Sequence, residues 1–75
     1  MVKYAIADVQ DGTFEYLVMF GYDGGKWCIK YASGELFRPV TLNDPHAAYN
    51  LINLLNSLHP IHRGILVVDE IEIDD

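Results

Sequence analysis

Phe14-Glu15-Tyr16-Leu17-Val18-Met19-Phe20, then Asp23-Gly24-Gly25, then Trp27-Cys28-Ile29-Lys30-Tyr31 read in order as a strand, a tight turn and a strand. This hairpin decides the fold. Trp27, Ile29 and Tyr31 alternate with Lys26, Cys28 and Lys30, the period of two that a half-buried strand requires. The strand before it is nearly all apolar, and strict alternation places Phe14, Tyr16, Val18 and Phe20 on one face with Leu17 and Met19 on the other. Upstream, Asp11-Gly12 supplies a second turn of the kind that tolerates positive φ. It is preceded by Val2 to Val9, with Val2, Tyr4 and Ile6 on one side and Lys3, Ala5 and Ala7 on the other. Val2 to Tyr31 is therefore a three-stranded meander.

Downstream, Ser33-Gly34 interrupts the pattern, and Pro39 within Glu35 to Leu42 cannot donate to a ladder, so this piece is a short edge strand or an extended connector. Asp44-Pro45 is an N-cap followed by proline at the first helical position, and Ala48, Leu51, Ile52, Leu55 and Leu58 recur at helical spacing. A helix from Pro45 to Leu58 follows, stopped by His59-Pro60. Gly64 opens a last strand, Ile65 to Ile73. The expected fold is a single α+β domain, a three- to five-stranded, mostly antiparallel sheet with one helix on one face, in the order βββ(β)αβ. The simplest layout sets the final strand beside the first and parallel to it, reached by a right-handed crossover.

The chain has 75 residues, near the lower limit for one independent core. Apolar residues make up 51%, more than a disordered acidic segment carries. Cys28 is the only cysteine, which excludes an intrachain disulfide, argues against a thiolate zinc site and fits a reducing cytoplasm. No stretch approaches the roughly 20 apolar residues of a membrane span, and the N-terminus lacks a signal-peptide core. A cytoplasmic protein, complete as written, is expected. A formal charge of −6 disfavours phosphate backbones and anionic lipid, so direct nucleic-acid or membrane binding is not expected.

No residue pattern carries chemistry. His59 and His62 flank Pro60 and form no single helical face, so with Asp69 or Glu70 they read as solvated loop residues rather than metal ligands. His46 reads as a surface residue. Cys28 lies between Lys26 and Lys30 without a base or orienting group, and Gly21, Gly24 and Gly25 fit hairpin geometry rather than a phosphate loop. No catalytic residue, metal or cofactor is expected, and the chain reads as a non-enzyme.

Two features remain. One helix cannot cover both apolar faces of the sheet; either Leu36, Phe37 and Val40 fold over the second face or it is an interaction surface. Asp69, Glu70, Glu72, Asp74 and Asp75 crowd the last strand, where Glu70 and Glu72 stand on one face about 7 Å apart, near phosphate spacing. The simpler reading is that these charges solubilise an edge strand. Together the features assign partner binding to Tyr16, Tyr22, Trp27, Tyr31, Asp69, Glu70, Glu72 and Asp74, toward a protein with a basic surface. The alternative is a structural or regulatory homodimer that uses the sheet face.

The opening strand with Tyr4 and Ile6, the second strand with Tyr16-Leu17, the Gly24-Gly25-x-Trp27 hairpin, the helix opened by Asp44-Pro45 and the ending with Val67-Val68 and Glu70-Ile71 resemble the short accessory proteins of bacteriophages and mobile elements. That resemblance implies an inhibitor of host machinery, anti-CRISPR-like in kind, acting in the host cytoplasm on a nuclease or other nucleic-acid-handling protein. It implies no catalytic residue.

Overall fold

In the computed structural model, which describes residues 1–34, 36–58 and 64–73, both glycine turns close two-residue hairpins. Asp11 and Gly12 take φ of 48° and 82°, and Gly24 and Gly25 take 61° and 84°, the positive pair that matches a turn to the twist of its flanking strands. They join β1 (Val2–Gln10), β2 (Thr13–Asp23) and β3 (Lys26–Ala32). A two-residue β4 (Thr41–Leu42), the helix α1 (Pro45–Ser57) and β5 (Ile65–Glu72) complete the α+β order. Asp44 caps α1, its carboxylate accepting from the His46 N–H at 2.9 Å, and Pro45 occupies the first turn. The expected helix stop at His59-Pro60, the histidine pair, Asp74 and Asp75 lie outside the described residues.

β1 is the centre of the sheet. Along one side it pairs antiparallel with β5, from Val2 opposite Glu72 to Val9 opposite Ile65. Along the other side it is shared: Ala7 to Gln10 pair with β2, while Tyr4 and Ala5 pair with β4. β2 leaves β1 partway, and the gap admits the β4 segment, which also donates from Val40 N–H to the Leu17 carbonyl at 2.8 Å. β4 pairs with β1 alone and is the short edge strand that Pro39 permits, because only Val40 onward must donate.

Two expectations are corrected here. The final strand does lie beside the first, but antiparallel to it. The reason is the origin of the crossover. It leaves from β4, which already runs against β1, and β4-α1-β5 therefore joins two mutually parallel strands with β1 between them, a split β-α-β unit. The second correction concerns β2. Its ladder to β3 shifts register between Leu17 and Met19, leaving Val18 as the extra residue of a β-bulge. One extra residue reverses the parity of alternation, so Phe20 joins Leu17 on the helix side and Met19 joins Phe14 and Tyr16 on the opposite face.

The core lies between the sheet and α1. Ile6, Leu17 and Leu66 from the strands meet Ile52 and Leu55 from the helix, with Phe20, Ile29, Tyr31, Val40, Leu42, Leu51 and Val68 packed around them. The burial of Ala48, Ile52 and Leu55 follows directly from helical spacing. No described helix is long and apolar enough to cross a membrane.

Candidate docking face

The face of the sheet turned away from α1 is built from alternate residues of each strand. β1 contributes Ala5, Ala7 and Val9, β2 contributes Phe14, Tyr16 and Met19, and β5 contributes Ile65, Val67 and Asp69. Its centre is sealed by one side chain. Tyr16, opposite Ala7, reaches across β1 and donates its hydroxyl to Asp69 Oδ2, which stands opposite Ala5. Ala5 and Ala7 are buried beneath this bridge, and their small size is what lets a tyrosine ring cross the strand.

Beyond the bridge the face is open. Phe14 is 53% exposed, Ile65 73% and Val67 38%, and Phe14 meets Tyr16 edge-on at 5.3 Å between ring centres. Phe14 and Val67 help line a concavity of about 220 Å³, together with Ala7, Val9, Val68 and Asp69. An apolar hollow with one carboxylate in its wall suits a side chain that is greasy along its stem and cationic at its tip. Of the residues that could shield this face, Phe37 is itself 52% exposed. Val40 packs into the helix-side core, and Leu36 is 95% exposed.

The Tyr16–Asp69 bridge also sets an alkaline limit. The hydrogen bond to Asp69, then burial, then the carboxylate charge hold the Tyr16 phenol up at about 12. Burial, with the Asp8 charge behind it, pushes Tyr31 up to about 12 as well. Both are above the ordinary value of 10, so the folded chain keeps protons that the unfolded chain releases sooner. The stability they contribute is whole below pH 10 and is lost as pH rises toward 12. Urea midpoints measured across that window should fall, and Tyr16→Phe should flatten the fall. Equal slopes in both proteins would refute the assignment to Tyr16.

The described residues assigned to binding from the sequence are divided among four places. Tyr16 and Asp69 join on the helix-free face. Tyr22 and Trp27 sit opposite each other near the tip of the β2–β3 hairpin, on the helix side, where Trp27 stacks on Phe20 and meets Tyr22 edge-on, each at 5.2 Å. Tyr31 packs against the core. Glu70 and Glu72, opposite Tyr4 and Val2, project to the helix side of β5, the reverse of Asp69. Both are exposed, and Glu72 pairs loosely with the Met1 amino group at 3.3 Å.

Val9, Phe14, Ile65 and Val67 were not assigned to binding from the sequence, because only the register shows that they share a face. Asp8 was also missed. It is buried on the helix side, and its Oδ1 accepts from the Gly64 N–H at 2.8 Å, tying the entry of β5 to β1. Among the described residues no cluster of three or more histidine, cysteine or acidic side chains is placed to hold a metal ion. Cys28 is half-buried on the helix-free side of β3, opposite Gly21. No family model, curated protein or solved structure matches the chain, and the candidate face rests on its geometry alone.

Proposed function

We propose that the chain is a non-enzymatic protein-binding module that docks through the helix-free face of its sheet onto a basic protein surface. The observation that carries this reading is the open apolar concavity beside the Tyr16–Asp69 bridge, lined by exposed Phe14 and Val67, with exposed Ile65 on the same face. Burial of these side chains supplies affinity, and the formal charge of −6 steers a basic partner toward the chain. The resemblance to phage accessory proteins points to a host nuclease or other nucleic-acid-handling protein as the target, with inhibition by occupation as the mode of action.

The test uses the immobilised chain against bacterial lysate, with Phe14→Ser and Val67→Ser as paired variants. Both positions are exposed, so the fold should persist while the face loses its apolar rim. The wild-type chain should retain a basic protein that cross-links to the face, and the variants should weaken its binding about tenfold or more. Equal retention by all three would sink the reading. A concentration-dependent dimer in sedimentation, lost in the variants, would assign the face to a second copy instead.

A further inference from the structure

We propose that the partner of this face is an extended segment bearing lysine or arginine, which adds as a further strand along the outer edge of β5. The inference rests on the docking reading above and names its geometry and chemistry.

β5 pairs with β1 along one side, and among the described residues no strand pairs with its other side. It is eight residues long, a length of edge that offers an incoming strand a ladder of backbone donors and acceptors. Its side chains define what can dock. Toward the helix-free face it presents Ile65, Val67 and Asp69, the last two in the wall of the concavity. Toward the helix side it presents Glu70 and Glu72, both exposed. A strand laid against this edge therefore meets apolar neighbours at the Ile65 end and carboxylates on both faces at the other end.

That charge pattern chooses among occupants. A second copy pairing β5 with β5 about its acidic half would bring Asp69, Glu70 and Glu72 against the same residues, and like charges directly opposite one another destabilise a cross-strand pair. The acidic edge thus works against self-pairing and for a basic strand, whose lysine or arginine side chains face Glu70 and Glu72 on one side and Asp69 on the other. A cationic side chain opposite Asp69 can also lay its aliphatic stem over Val67, at the rim of the hollow. Backbone pairing supplies the extended geometry, and the carboxylates supply the choice of sequence.

The test uses a short capped peptide of alternating lysine and valine, the same peptide with glutamate for lysine, and a version N-methylated at alternate residues so that it cannot form a ladder. Backbone amides of Ile65–Glu72 are followed by NMR shift and hydrogen exchange in the whole chain. The lysine peptide should shift these amides and slow their exchange, the glutamate and N-methylated peptides should bind about tenfold more weakly, and a Glu70→Lys, Glu72→Lys double variant should lose the preference for lysine over glutamate. No binding of the lysine peptide up to millimolar concentration overturns the inference, as does binding that leaves the β5 amides unmoved. Protection of the β5 edge in a free dimer overturns it as well, because a second copy then occupies the strand. Binding that moves Phe14 and Val67 side chains without the amides overturns strand addition alone. Failure of the docking reading itself shows separately, as lysate capture indifferent to Phe14→Ser and Val67→Ser.

Discussion

Gly64→Ala should destabilise the chain by about 3 kcal/mol, an unusually large effect for adding one methyl group. A Cβ at this position would stand 2.0 Å from the Val9 carbonyl oxygen and 2.7 Å from both the Val9 carbonyl carbon and Asp8 Oδ1. Two of these neighbours are backbone of the central strand and cannot rotate away. Either the Val9–Ile65 end of the β1–β5 ladder opens, or Gly64 retreats and its N–H leaves the Asp8 carboxylate. The second route weakens the satisfaction of a buried carboxylate, itself a cost of about 1–3 kcal/mol. Urea unfolding followed by fluorescence of Trp27, the only tryptophan, measures the change. A loss below about 1 kcal/mol would show that β5 can shift without strain. Because β5 carries Val67 and Asp69, a loosened variant should also bind partner more weakly than its folded fraction explains.

Leu17→Ala should cost about 3 kcal/mol, and Met19→Ala less than about 1. Leu17 is fully buried in the core and lies opposite Tyr31 across the ladder, so truncation to alanine leaves a cavity there. Met19 is 45% exposed on the other side of the sheet. Unbroken alternation would set the two on one face and make their costs similar; the bulge at Val18 separates them. The corresponding contrast on the other parity is Phe20→Ala, which removes a core-packed ring, against Phe14→Ala, which removes an exposed one. For a domain of this size, whose whole stability is on the order of 4–11 kcal/mol, Leu17→Ala removes a large share. Near-equal urea midpoints for Leu17→Ala and Met19→Ala would refute the face assignment and with it the composition of the docking face.

That assignment also shows where reading from sequence ends. Trp27, Ile29 and Tyr31 announce their common face because β3 has no irregularity, and Ala48, Ile52 and Leu55 announce theirs because a capped helix keeps its phase. Val18 looks like any other strand valine. Nothing local distinguishes a bulged residue from a paired one, since a bulge is a relation between two strands. The acidic end divides between the two faces for a related reason. Asp69, Glu70 and Glu72 are near neighbours in sequence, yet successive strand residues point to opposite faces, so one lines the apolar hollow and two face away from it.

Turn chemistry at Asp11-Gly12 and Gly24-Gly25, the cap and proline that start α1, and the apolar stripe along it were determined by the sequence itself, because each depends on backbone preferences within a few residues. The fork between β1 and β2, the antiparallel direction of β5, the Gly64–Asp8 contact and the open concavity were decided only by tertiary structure. Each depends on which distant strands meet and in what register. A two-residue strand at Thr41–Leu42, too short to register as a periodic pattern, sets the direction from which the crossover returns.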